Sequence, residues 1–95
     1  MEIIWKPQAE KDLVAIEEYY LTLSPDFAEI IIREILTRTD MLGQFPQSGR
    51  KVPEINDPSI REIIYRNYRI IYHYTPEDNR IEILTLFHSS RQFGS

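Results

Sequence analysis

The chain has 95 residues, 42% hydrophobic and 27% charged, with no cysteine and a net charge of −4. That length suits one domain burying roughly 60–70% of its unfolded surface and leaves no room for a separate cofactor domain. The missing cysteines exclude a disulfide framework and a thiolate-bound metal, and the acidic balance argues against a general nucleic-acid binder.

Charge is uneven along the chain. Residues 1–48 hold four basic side chains (Lys6, Lys11, Arg33, Arg38) against nine acidic ones, whereas residues 49–95 hold seven against six. The first half would repel nucleic acid and the second could tolerate it. Residues 1–8, MEIIWKPQ, lack a basic start followed by an apolar run, so no secretory leader is expected. No apolar run is long enough to span a membrane. A cytoplasmic location is expected, which the absence of cysteine suits.

In chain order, EIIW at 2–5 predicts a short strand, and Pro7 fits the first position of a helix. Ala9, Leu13, Ile16 and Tyr20 are spaced as one helical face, predicting a helix to about Leu23. Ser24-Pro25-Asp26 combines a capping hydroxyl, a first-turn proline and an acidic residue at the positive end of the helix dipole. It opens a second helix to about Leu42, with Phe27, Ile31, Ile35 and Leu42 on one side and Gly43 as its stop. The short connection predicts an antiparallel helical hairpin.

QFPQSGRKVPEINDPS reads as a loop with at most a short strand at Lys51-Val52. Strand patterns follow in IREIIY, YRIIYHY and RIEILTLFH, the last two separated by the turn TPEDN. The order is one strand, two helices, then three or four strands. It predicts an α+β domain over residues 1–95, with the helical hairpin packed on one face of an antiparallel sheet of about four strands and the other face open.

A two-residue turn at Arg66-Asn67, with asparagine able to take positive φ, pairs Tyr65 with Tyr68, Ile63 with Ile70 and Arg61 with Tyr72. One face then holds Arg61, Ile63, Tyr65, Tyr68, Ile70, Tyr72 and Tyr74, beneath the helices. The open face holds Ile60, Glu62, Ile64, Arg69, Ile71 and His73, with Glu62 and Arg69 as a diagonal pair worth roughly 0.2–1 kcal/mol. Tyrosine and isoleucine are good strand formers, so most of this run is core-building. Its arginines could instead position phosphates. His88, where the chain leaves the last strand, suits either a hydrogen-bonded surface residue or a general acid or base. His73 and His88 have no third partner at ligand spacing, so no metal site is expected. The three glycines, at 43, 49 and 94, form no phosphate loop, and no cofactor is expected.

Taken together, IIWKPQAEKDLVAIEEYY, the loop FPQSGRKVPE, IREIIYRNYRIIYHY and IEILTLFHSSRQF resemble, end to end, the RelE/ParE superfamily of bacterial toxins from type II toxin–antitoxin modules. The resemblance implies the fold derived above and a toxin of a plasmid-stabilisation or addiction system. RelE-like members are ribosome-dependent mRNA endoribonucleases that need no metal. That branch would make Arg61 a phosphate or transition-state arginine, with His88 and Arg69 as further catalytic candidates. ParE-like members share the fold, inhibit DNA gyrase and are not known as nucleases. In that branch Arg50, Lys51, Arg91 and Phe93 are the target-binding candidates. Ser89 stands after the histidine where some RelE-like toxins carry an aromatic residue, and Gln47-Ser48-Gly49 where some carry a glutamate base. These departures and the acidic charge favour the ParE-like branch. In either branch the expected partner is a small antitoxin whose disordered segment folds onto the helical hairpin and sheet edge, giving a hetero-oligomer. A degenerate member that binds antitoxin without poisoning anything is the remaining alternative.

Overall fold

A computed structural model describes residues 1–91. It places β1 at Glu2–Trp5, α1 at Pro7–Leu21, α2 at Pro25–Met41, β2 at Arg50–Lys51, β3 at Ile60–Tyr65, β4 at Tyr68–Thr75 and β5 at Arg80–His88. Ser24 caps α2 as its sequence predicts, its hydroxyl accepting from the Phe27 amide at 3.3 Å. The helices form a hairpin over one face of the sheet, α1 lying along β5.

The sheet differs from the expected one in size and sense. It has five strands in the order β1-β5-β4-β3-β2, and β1 runs parallel to β5, with Ile3 opposite Ile81 and Trp5 opposite Ile83. The helical hairpin supplies the long crossover that a parallel pair requires. The Glu2 amide donates to the Asn79 carbonyl and the Lys6 amide to the Ile83 carbonyl, extending the pairing beyond both ends of β1.

The β3–β4 register is the predicted one: Tyr65 faces Tyr68, Ile63 faces Ile70 and Arg61 faces Tyr72. The turn differs in detail, because Arg66 and not Asn67 takes positive φ, at 53°. The Arg66 side chain is held from behind, its Nε donating to the Tyr65 hydroxyl at 2.9 Å.

The main core forms between the aromatic face and the helices. Ile16, Ile31, Ile35 and Leu42 meet Tyr65, Ile70, Tyr72, Ile83 and Leu86. A bulge in β5 shifts the register between Ile71/Thr85 and Tyr72/Ile83. Asp12 of α1 seats on it, accepting from the Thr85 hydroxyl at 2.5 Å and the Leu86 amide at 3.0 Å.

The second face is not left open as expected. Val52 and Ile55, from the segment between β2 and β3, pack with Ile71, Phe87, Ile60 and Leu84 in a smaller cluster. That segment starts from a tight anchor at Gly49. The fully buried Tyr72 hydroxyl donates to the Pro46 carbonyl at 2.7 Å and accepts from the Gly49 amide at 3.1 Å. Burial pushes the Tyr72 phenol above its ordinary pKa. A Cβ at Gly49 would lie 2.5 Å from the Glu62 carbonyl oxygen, which belongs to the β3 backbone and has no free rotor with which to move aside.

Tyr72→Phe removes a buried hydroxyl and orphans two backbone groups, so it should lower stability by about 1–3 kcal/mol in urea denaturation. Gly49→Ala should cost more than Tyr72→Phe in the same experiment.

Candidate functional site

Glu62 is 1% exposed, so its carboxylate must be matched by charge and hydrogen bonds. It is matched twice. Arg69 Nε donates to Glu62 Oε1 at 2.6 Å, and Arg50 Nε donates to Glu62 Oε2 at 2.6 Å. Glu54 then takes the other two nitrogens of Arg69 as a fork, at 2.7 Å each. The bonds to Glu54 and Glu62 hold the Arg69 guanidinium above its ordinary pKa, against the effect of burial. What read in the sequence as a modest cross-strand pair is a four-membered network whose centre, Glu62 and Arg69, is buried. Glu54 was not singled out, since a lone glutamate in a proline-rich loop carries no periodic signal.

The three catalytic candidates do not converge. Adjacent residues alternate faces, so Arg61 (opposite Tyr72) is on the helix side and Arg69 is on the other. Arg61 is partly buried and donates through Nη1 to the Gly49 carbonyl at 3.0 Å. His88 is paired with Tyr68, at the far end of β4 from Tyr72. Four residues along the strand and two strand spacings put the Arg61 and His88 backbones about 16 Å apart. The His88 ring stands edge-on to Tyr68 at 5.7 Å, and its Nδ1 faces the Ser90 amide and hydroxyl at 3.1 and 2.8 Å.

The target-binding candidates are scattered at the surface. Arg50 and Lys51 form the two-residue edge strand β2, Arg50 tied to Glu62 and Lys51 exposed. Arg91 is exposed and stacks over Phe87 at 5.9 Å, on a ring that Arg69 also covers at 5.2 Å. Phe93 lies outside the described residues. No metal-ligand cluster of His, Asp or Glu occurs among the described residues, and no helix there is long and apolar enough to cross a membrane.

The outer surface of the helical hairpin carries a groove of about 420 Å³. Leu21, Ala28, Ile32 and Leu36 give it an apolar floor, and Glu17 and Asp40 stand at its rim. Such a floor with a charged rim suits an amphipathic helix of a partner. Of the three isoleucines in the IIIRE stretch, Ile31 is core, Ile32 lines this groove and Ile30 is exposed.

The profile of the family described as "ParE toxin of type II toxin-antitoxin system, parDE" matches residues 3–93. The chain is 27% identical over 90 residues to a protein named Toxin RelE2 of Caulobacter vibrioides, covering 95% of this chain and 97% of that one. Its fold superposes with a TM-score of 0.77 on a chain from a structure titled "Chromosomal ParDE TA system from P. aeruginosa", at 24% identity and covering 93% and 95% of the two chains.

Removing Arg69 leaves buried Glu62 with Arg50 alone, so Arg69→Met should cost up to about 3–5 kcal/mol in urea denaturation. Adding Glu62→Leu to it should recover part of the loss, because the buried charge that Arg50 alone then matches is gone as well.

Proposed function

The chain belongs to the ParE toxin family of type II toxin–antitoxin systems, and we propose that it inhibits DNA gyrase and is neutralised by a cognate antitoxin. The observation that carries this reading is the state of Arg69. Metal-independent RNA cleavage needs cationic groups aimed at one phosphate, where charge develops. Arg69, on the sheet face away from the helices, is instead 7% exposed and saturated by Glu54 and Glu62. Arg61 serves the Gly49 carbonyl on the other face, and His88 stands about 16 Å from it. A phosphate would have to displace two carboxylates to reach Arg69.

A gyrase inhibitor needs no such constellation. It needs a surface that a protein complex can grip, and exposed Lys51 and Arg91 offer cations for that purpose. The antitoxin would seat a helix in the groove floored by Leu21, Ile32 and Leu36, giving a hetero-oligomer that holds the toxin inactive in the cytoplasm.

Induction without antitoxin, with thymidine and methionine incorporation followed in parallel, tests the reading. Thymidine incorporation should fall first, with a DNA-damage response, and His88→Ala should arrest growth as the unaltered chain does. Early loss of methionine incorporation, abolished by Arg61→Ala or His88→Ala, would instead establish translation as the target. Unchanged growth from a folded, expressed chain would favour an inactive antitoxin-binding module.

A further inference from the structure

The helical layer is acidic, yet on one flank of α2 two arginines converge on a single tyrosine. Arg38 of α2 lies over the Tyr65 ring at 5.4 Å, and Arg66, from the β3–β4 turn, lies over the same ring at 5.6 Å. Arg66 also covers Phe27 at 5.6 Å. Its Nε donates to the Tyr65 hydroxyl, which in turn donates to Glu34. The guanidinium of Arg66 reaches Glu34 at 3.8 Å, whereas Arg38 makes no ion pair among the described residues. Burial, and secondarily the bond to Glu34, raise the pKa of the Tyr65 phenol.

Three features mark this cluster as a docking surface. Its composition is that of an interface hot spot, with tyrosine, phenylalanine and arginine together. Phe27 is 36% exposed and the Arg66 side chain 50%, so both present area that a partner can bury. Arg66 is also pre-organised, fixed by a hydroxyl and two rings, so little side-chain entropy remains to be lost on binding. It holds this place at φ 53°, a backbone state that arginine rarely adopts and that Asn or Gly would take more readily.

The flank is separate from the groove. At 100° per residue, Phe27, Glu34 and Arg38 point to one side of α2, and the groove residues Ile32 and Leu36 point roughly 120–180° away. A segment seated in the groove therefore does not by itself cover the cluster.

We propose that Arg38, Arg66, Tyr65 and Phe27 form the surface through which this chain grips its protein target, and that the matching target surface carries carboxylates. The cluster has two guanidiniums against one carboxylate, and its α2 members, Phe27 and Arg38, belong to residues 1–48, where nine acidic residues stand against four basic ones. That surrounding negative charge admits an acidic side chain reaching inward to the arginines but repels the continuous phosphate backbone of a nucleic acid. The proposal rests on the gyrase reading above.

The test is binding of the purified chain to purified DNA gyrase, with a single-stranded oligonucleotide as a second probe. The variants are Arg38→Glu, on an exposed helix position, Arg66→Asn, which keeps a residue tolerant of positive φ in the turn, and Lys11→Glu as a charge-matched control. Thermal melting verifies the fold of each. Arg38→Glu and Arg66→Asn should each weaken gyrase binding at least tenfold, Lys11→Glu less than twofold, and binding should fall with added salt. Gyrase binding by the unaltered chain that both cluster variants retain within twofold would overturn the proposal and leave the gyrase reading intact. Absence of gyrase binding by the unaltered chain would overturn both. Tight oligonucleotide binding that the cluster variants lose would make this a nucleic-acid surface and overturn the proposal.

Discussion

A carboxylate with no access to water dictates much of this molecule. Glu62 sits in the middle of β3, and its burial is tolerable because Arg69 reaches it from the neighbouring strand and Arg50 from the edge strand. Arg69 then has two nitrogens left, and Glu54 takes both. That bond holds the segment after β2 against the sheet, and the segment brings Val52 and Ile55 onto Ile71 and Phe87. The face that the sheet would otherwise show to solvent is thereby closed with a small apolar cluster at its centre. Gly49 and Tyr72 fix where the segment begins, since the approach there leaves no room for a Cβ.

The same network bears on chemistry. An arginine in a strand is available to a phosphate if its fork is open, and this one is filled by the chain's own carboxylates. Accessible cations lie elsewhere, among them Lys51 on the sheet edge, Arg91 beyond β5, and Arg38 and Arg66 beside α2. These are places from which a protein surface can be gripped, and the two that converge, Arg38 and Arg66, do so on the Tyr65 ring. The two flanks of α2 differ in kind, one offering an apolar groove and the other a cation–aromatic cluster.

Much of the architecture was legible in the residues, for identifiable reasons. The helices follow from the Ala9–Tyr20 stripe and the Ser24 cap, both local signals. The β3–β4 register follows from the two-residue turn, since a one-residue slip would have put Tyr65, Tyr68 and Tyr72 outside the core. What escaped the sequence is long-range. Pairing of EIIW with β5 joins strands separated by most of the chain, and four residues carry no mark of a parallel partner. The β5 bulge is seated by Asp12, more than seventy residues away in sequence. In the β3–β4 turn positive φ falls on Arg66, whose side chain meets the Tyr65 hydroxyl and the Phe27 ring, and not on Asn67, the residue whose local preference would suit it. Of the candidate site residues, Arg61, Arg69 and His88 were all visible as chemistry-bearing types. Their separation depended on face and register, and the neutralisation of Arg69 on a loop glutamate that no pattern announces.

A gyrase inhibitor of this family would disable a protein machine without cutting RNA. The most direct measurement presents the purified chain, in parallel, to DNA gyrase in a supercoiling assay and to ribosomes programmed with a defined mRNA. Inhibited supercoiling with intact message is expected of a gyrase inhibitor; cleaved mRNA alongside unaffected supercoiling would overturn that reading.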